Sequence, residues 1–290
     1  MAEDGAGRTV PGPVAGLHLV SVPIGSARDI TLRALDVLSG ADVLAAEDTR
    51  SLRRLMEIHG LAVGDRPLWS YHDHNGAAVR PRIVEALRAG RSVAYASEAG
   101  TPLVADPGWR LVEAARAEDL PVHAVPGASA ALAALVVGGL PTDRFLFAGF
   151  PPSKTVARQR FFRELGAVSA TLVIYESPKR AAAALRDAAA ALGARPARLC
   201  RELTKRFEEV WAGDLPALAA RAEAAPPKGE IVILIGHVAA DGATDADLET
   251  LLLQRMGTES LTAAVRHVSG ETGTKRKRVY DLALRLKGDG

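Results

Sequence analysis

Short apolar runs rich in β-branched residues recur along the first half of the chain, at Leu17–Val22, Asp42–Ala46, Leu68–Tyr71, Ser92–Ala96 and Val122–Val125. Between them the apolar positions fall three or four residues apart, as in Leu32, Leu35 and Leu38, or in Ile83 and Leu87 with Gly90 as a stop. That spacing predicts helices with one apolar face and a glycine terminator. Strand-length and helix-length segments in alternation predict a parallel α/β sheet, here over residues 16–126.

The second half repeats the theme with a difference. An Ala-rich helix is expected to run to Val137, and GGLPTDRFLFAGFPPS then reads as a Gly/Pro-rich domain junction. Strands follow at Thr171–Tyr175, Arg198–Leu203, Glu208–Ala212 and Glu230–Ile235, with helices near 179–192 and 215–225. The strands between 198 and 212 are close enough to pair as a hairpin, so residues 127–238 are expected to form a second α/β domain with a mixed sheet. From Ala239 a linker-like composition leads into helical patterns at 245–256, 259–268 and 275–287, and residues 245–290 read as a small helical, basic tail.

Composition narrows this picture. A chain of 290 residues, 48% hydrophobic and 24% charged, can bury two ordinary cores. The formal charge of +2 carries no argument for nucleic acid, although the segment from Arg266 to Gly290 holds seven basic against three acidic residues. Cys200 is the only cysteine, which rules out an internal disulfide and a Cys-rich zinc site. Residues 1–15 lack the apolar core of a signal peptide and read as a disordered leader. No apolar run approaches a membrane span, and a cytoplasmic protein is expected.

The chemistry gathers where the predicted strands end. In an open parallel sheet ligands bind beyond the carboxyl ends of the strands. Those ends carry Pro23-Ile24-Gly25, Glu47-Asp48-Thr49-Arg50, His72-Asp73-His74-Asn75, SEAGTPLVADPG from Ser97, and Pro126-Gly127-Ala128-Ser129. Asp and Thr are common helix caps and Gly and Pro common turn residues, so each group alone has a structural explanation; five on one rim suggest a binding crevice. The glycine-rich dinucleotide and nucleoside-triphosphate signatures are absent, and Gly127-Ala128-Ser129-Ala130-Ala131 does not complete a serine-hydrolase elbow. A ligand without a polyphosphate fits better. A metal site on His72, His74 and Asp48 is an alternative, since residues two apart on a strand face one side.

The ordered segments VPIGSARDITLRA, AAEDTR, HDHN, SEAGTPLVADPG, VPGASA, GLPTDRFLFAGFPP, IYESPKR, RELTKRFEE and KGEIVI resemble the tetrapyrrole methylase superfamily, and within it the branch that methylates a cytidine 2′-hydroxyl in the decoding region of 16S ribosomal RNA. The resemblance runs from about residue 17 to 237. It implies two α/β domains of tetrapyrrole-methylase type with S-adenosyl-L-methionine in the cleft between them, a homodimer, and 16S rRNA, within the small ribosomal subunit, as partner. Carried over by position, it implies cofactor contacts from Pro23, Gly25, Glu98, Gly100, Thr101, Val104, Ser129 and Ala130, and from Glu176, Leu203 and Gly229 in the second domain. No metal is implied. The chain departs from the family pattern at Glu98, where Asp is usual, and at Ser26, where Asn is usual.

Transfer of a methyl group to a ribose hydroxyl needs alignment and a proton acceptor. Asp48 and His72 are the candidate bases, with Glu47 and Arg50 in support, although Asp48 also suits a plain helix cap. A tetrapyrrole methyltransferase, a metal-dependent hydrolase and a non-catalytic RNA-binding module are the rival readings. In the tail, Lys275, Arg276, Lys277 and Arg278 precede an apolar stripe of Val279, Leu282 and Leu286. Cations at a helix start oppose the helix dipole, and the cluster is expected to contact RNA phosphates without reading sequence.

Overall fold

The structure, a computed structural model, describes residues 2–3, 9–10, 12–105, 108–237, 245–272 and 274–288. The expected linker, within 238–244, and residues 1, 4–8 and 11 of the expected leader lie outside the described residues; within the leader β1 (Ala2–Glu3) pairs antiparallel with β2 (Thr9–Val10).

The first sheet is wholly parallel, in the order β5-β4-β6-β3-β7. Its strands are β3 (Gly16–Val20), β4 (Val43–Ala46), β5 (Leu68–Ser70), β6 (Ser92–Ala96) and β7 (Val122–Val125). β4 and β6 are buried at every position and read VLAA and SVAYA without alternation, as expected of strands covered on both faces. Helices α1 (Leu32–Gly40) and α2 (Thr49–Ile58) cover one face through Ala34, Leu38, Leu52 and Met56. α3 (Gly76–Arg88) and α4 (Trp109–Arg116) cover the other through Ile83, Leu87 and Leu111. The stripe expected on α1 is corrected: Leu32 is 81% exposed, and Ala34, Val37 and Leu38 face the core. At 3.6 residues per turn a run of i+3 steps drifts by about 60° each, so Leu32 leaves the face that Leu38 occupies.

The second sheet is mixed, in the order β11-β10-β12-β9-β8. It holds β8 (Phe145–Gly149), β9 (Thr171–Glu176), β10 (Pro196–Arg201), β11 (Glu209–Asp214) and β12 (Ile231–Ile235). β10 and β11 form the expected antiparallel pair, with Leu199 opposite Trp211, and only β8 and β9 run parallel. The stretch read as a junction is instead β8, an edge strand, and α6 (Thr155–Leu165) follows it unannounced. α5 (Ala130–Gly138) lies on this sheet through Ala131, Ala134 and Leu135 against Val173, Cys200 and Leu234. The opposite face carries α6, α7 (Ala181–Leu192) and α8 (Leu215–Ala224) around Phe162, Leu185 and Leu218. The buried Arg158 Nε donates 2.7 Å to Asp187, which ties α6 to α7.

α9 (Asp245–Met256), α10 (Leu261–Thr272) and α11 (Arg276–Gly288) form a separate core of Leu248, Leu252, Val265, Val268, Val279 and Leu282. Among the described residues no helix is long and apolar enough to cross a membrane.

Candidate functional site

β4, β6 and β3 are neighbours, so the loops leaving their carboxyl ends share one rim. Two of these loops are joined directly: Val22 N donates to Gly100 O at 2.9 Å and Gly100 N to Val22 O at 3.1 Å. Beyond that bridge the backbone is forced, with positive φ at Gly100 (74°), Leu103 (72°) and Ala105 (61°). The latter two are uncommon for residues with a Cβ and cost about 1–2 kcal/mol each. Side chains hold the distortion in place. Thr101 Oγ1 donates to Ala128 O at 2.9 Å, and Ser97 Oγ to Gly100 O at 3.2 Å. The segment Gly100–Ala105 after β6 therefore shapes a kinked wall between two hollows.

On one side of the wall lies a cavity of about 380 Å³. Gly100, Thr101, Val104, Ser129 and Ala130 line it from the first sheet's loops and α5, and Glu176, Leu203 and Gly229 from the second domain. These are eight of the eleven expected cofactor residues. Sequence reasoning assigned no role to the aromatic wall made by Phe150 and Tyr175. The Tyr175 ring meets Phe147 and Phe150 edge-on at 4.8 and 5.7 Å, and its hydroxyl accepts from Ala131 N at 3.1 Å. Burial raises the phenol pKa, so it stays protonated.

The second-domain side of this cavity is set by close approaches. Gly229 has φ 83°, and a Cβ there would collide with the Glu202 carboxylate. That carboxylate accepts from Glu230 N and from Lys205 Nζ, both at 3.1 Å, and these bonds lower its pKa, the Glu230 amide most. Glu176 has a fully buried side chain. Its Oε1 accepts from Ser177 N at 2.7 Å, and Arg180 Nη2 lies 3.0 Å from Oε2 while donating to Pro151 O. Oε2 is thus held by the charge of Arg180 and accepts no hydrogen bond among the described residues. The ion pair offsets the cost of burying this charge, and the oxygen still has room to accept a hydrogen bond from a ligand donor.

The second hollow, about 540 Å³ and more open, is bounded by Pro23, Gly25, Asp48, Arg50, Ser97 and Glu98. The expected grouping is corrected here: Pro23, Gly25 and Glu98 stand across the wall from Gly100 and Thr101. Successive side chains of extended backbone point to opposite faces, so Ile24 enters the first cavity while its two neighbours face the second. Gly25 also meets the second domain, since a Cβ there would lie 2.5 Å from Lys205 Cγ and 2.7 Å from Thr204 Oγ1. Ser26 N donates to Thr204 Oγ1 at 3.1 Å.

Asp48 is the cap of α2, accepting from Arg50 N at 2.8 Å. The Arg50 guanidinium bonds the same carboxylate at 3.2–3.3 Å, and these bonds hold its pKa below the ordinary carboxylate range. Glu47 Oε2 accepts from Glu98 N at 3.2 Å, so Glu47 braces the loop after β6. His72 lines neither cavity. Its backbone N donates to Asn75 Oδ1 at 2.9 Å, its ring lies 5.9 Å from that of His74, and its buried Nδ1 is unpartnered. Among the described residues no three His, Cys, Asp or Glu side chains converge as metal ligands, so His72, His74 and Asp48 do not assemble into that alternative site. In the tail Lys275, Arg276 and Lys277 are exposed, whereas Arg278 is paired with Asp245 at 2.8 Å.

Residues 16–219 match the family described as Tetrapyrrole (Corrin/Porphyrin) Methylases. A protein of Mesorhizobium japonicum named "Ribosomal RNA small subunit methyltransferase I" is 45% identical over 281 residues, covering 94% of this chain and 95% of the relative. A protein of Micromonospora olivasterospora with the same name is 42% identical over 91% of this chain and 85% of its own length. The solved structure of uroporphyrin-III C-methyl transferase from Thermus thermophilus, complexed with S-adenosyl homocysteine, superposes with a TM-score of 0.53. It is 20% identical and covers 76% of this chain and 97% of that one, a likeness of fold.

Proposed function

The chain belongs to the tetrapyrrole methylase family, and on that premise we propose that it methylates the 2′-hydroxyl of a cytidine in 16S ribosomal RNA, using S-adenosyl-L-methionine. The relatives covering nearly its whole length are rRNA small-subunit methyltransferases by name. The observation that carries the reading is the pair of hollows divided by the Val22–Gly100 bridge: a half-enclosed, largely apolar chamber built by both domains, and a more open charged one on the first domain's rim.

The first chamber fits the cofactor. Its size lies within the range of small-molecule sites, about 300–1,000 Å³. Phe150 and Tyr175 offer aromatic surface to a purine, and Glu176 Oε2, ion-paired with Arg180 but accepting no hydrogen bond among the described residues, offers an acceptor to a ribose hydroxyl. Gly100, Thr101, Val104, Ser129, Ala130, Leu203 and Gly229 complete the wall. When bound, S-adenosylmethionine supplies an electrophilic methyl group on a sulfonium sulfur. The rim loops then align the incoming hydroxyl, a contribution of roughly 7–11 kcal/mol where geometry is good.

Asp48, which lines the second hollow, is the carboxylate we assign to the hydroxyl proton. The transfer then requires the target ribose to reach the sulfonium methyl past the edge of the Val22–Gly100 wall, with its hydroxyl in line with the carbon–sulfur bond that breaks. The lowered pKa of Asp48 keeps it ionised but makes it a weak base, so alignment carries most of the acceleration and proton acceptance the smaller share, about 10²–10⁴-fold. Arg50, 91% exposed, is placed to pair with a phosphate, as are Lys275, Arg276 and Lys277 in the tail. Exposed guanidinium and ammonium groups suit phosphates.

We also infer a homodimer. α5 is apolar on every face, yet only one face is covered, leaving Leu132, Val136 and Val137 at 52, 83 and 43% exposure. A helix apolar all round is normally buried, and a second copy would bury it. Val136→Lys is expected to convert dimer to monomer in light scattering; a wild-type monomer would refute the inference.

The decisive experiment is mass spectrometry of 16S rRNA from cells with and without the gene, repeated after adding the purified protein and cofactor. Loss and restoration of one 2′-O-methylcytidine is the expected result. An unchanged rRNA together with methylation of a tetrapyrrole would replace this reading by the rival within the same family.

A further inference from the structure

We propose that α2 presents an arginine track, Arg50, Arg53 and Arg54, along which the phosphates of the rRNA strand run as the target nucleotide enters the second hollow. The proposal rests on the rRNA methylation reading and extends it to a surface that the basic tail does not include.

Three observations carry it. First, α2 is divided by residue type. Leu52 and Met56 are buried against the first sheet, whereas Arg50, Arg53 and Arg54 are exposed on the outward side. Second, the arginines border the site. Arg50 and Arg54 line the hollow that holds Asp48, and all three line the groove that continues from it past Glu57, Leu61 and Gly64. Third, their present partners are weak holders. Arg50 pairs with its own helix cap Asp48, Arg54 pairs with Glu57 at 2.7 Å with both side chains about 70% exposed, and Arg53 has no ion pair among the described residues.

Exposed pairs of this kind contribute little to stability, so exchanging a carboxylate for a phosphate costs almost nothing. Guanidinium forks match phosphate oxygens better than lysine does. Arg50 and Arg54 stand four residues apart, just over one helical turn or about 6 Å along the axis, a separation of the order of that between consecutive phosphates of a strand. A stack of cations with no aromatic among them reads backbone and not bases. A phosphate on Arg50 would also draw its guanidinium from Asp48, raising the basicity of that carboxylate as substrate arrives.

The test is an affinity titration of the full-length double variant Arg53→Gln/Arg54→Gln against unmodified 16S rRNA, free and in small subunits from cells lacking the gene, at several salt concentrations. Arg160→Gln/Arg163→Gln on the exposed face of α6 removes the same charge far from the rim and serves as control. The track predicts about tenfold weaker RNA binding, with a salt slope reduced in magnitude by about 1.4 for two single-strand phosphate contacts. It also predicts unchanged S-adenosylmethionine affinity and an unchanged control. Affinity and slope equal to wild type, or equal losses in the control, would overturn it. So would weaker binding with an unchanged slope, which would put a ribosomal protein against α2. A wild-type protein that neither binds nor methylates the rRNA fails the functional reading itself, an outcome distinct from either.

Discussion

The two hollows share a wall and little else. The first is made by both domains and depends on backbone: positive φ at Gly100, Leu103, Ala105 and Gly229, a buried carboxylate and a pair of aromatic rings. The second belongs almost entirely to the first domain and depends on exposed charge at Arg50, Arg54 and Glu98 around the half-buried Asp48. A chamber whose shape is fixed before binding suits a small ligand that is the same at every turnover. An open charged trough suits a large polyanion that must enter, be positioned and leave. The kink in the shared wall lets one short loop serve both.

The largest expected effect breaks the first chamber alone. Gly229→Ala puts a Cβ into the Glu202 carboxylate and forces φ 83° on a residue that disfavours it. Positive φ costs about 1–2 kcal/mol, and disturbing hydrogen bonds to a charged group about as much again. Together that is about 3 kcal/mol of folded-state stability, a cost the chain relieves by shifting the Gly229–Glu202 wall of the chamber. S-adenosylmethionine is therefore expected to bind at least about tenfold more weakly in a calorimetric titration, while RNA affinity holds. An unaltered cofactor affinity would move the ligand out of this chamber.

A smaller effect, in free energy, sharpens the second. Asp48→Asn keeps an acceptor for the α2 cap and removes the base, so turnover is expected to fall about a hundredfold with cofactor affinity unchanged. His72→Ala, outside both hollows, is expected to cost less than tenfold, a gap of over 1.4 kcal/mol between the two variants. Equal losses would shift the reacting groups towards β5.

The smallest effect lies away from both. His18 is 3% exposed, donates through Nε2 to Val14 O at 2.8 Å and stacks on His123 at 4.7 Å. Burial, the largest influence, lowers its pKa from the ordinary 6.5. The unfolded chain therefore binds this proton more readily than the fold does, and stability is full above about pH 6.5 and declines as pH falls below it. Thermal melts between about pH 7.5 and 5.5 should show this decline flattened in His18→Gln; identical slopes would assign it to other groups.

Most of the first domain was legible because buried parallel strands are compact apolar runs; β6 and β7 fall at their expected bounds, Ser92–Ala96 and Val122–Val125. β8 and α6 were not. β8 is a short edge strand flanked by Gly and Pro with Phe145 exposed, and α6 carries Arg158 buried on Asp187, so neither shows the usual apolar signature. The strand-end groups marked the rim, yet sequence could not divide them, because which side of a bridge a residue faces depends on alternation along an extended segment. Phe150 and Tyr175 passed unassigned since aromatic residues around strands are ordinarily core.

The contact at Ser26 makes the joint between the domains indifferent to the side chain at that position. Thr204 takes its hydrogen bond from the peptide N–H of residue 26, a group every amino acid but proline carries. Position 26 is thus free to be Ser or Asn, and mutational scanning should find it permissive except to proline. Its neighbour Gly25, held within 2.7 Å of Thr204 Oγ1 by any added Cβ, should be among the least tolerant sites in the molecule.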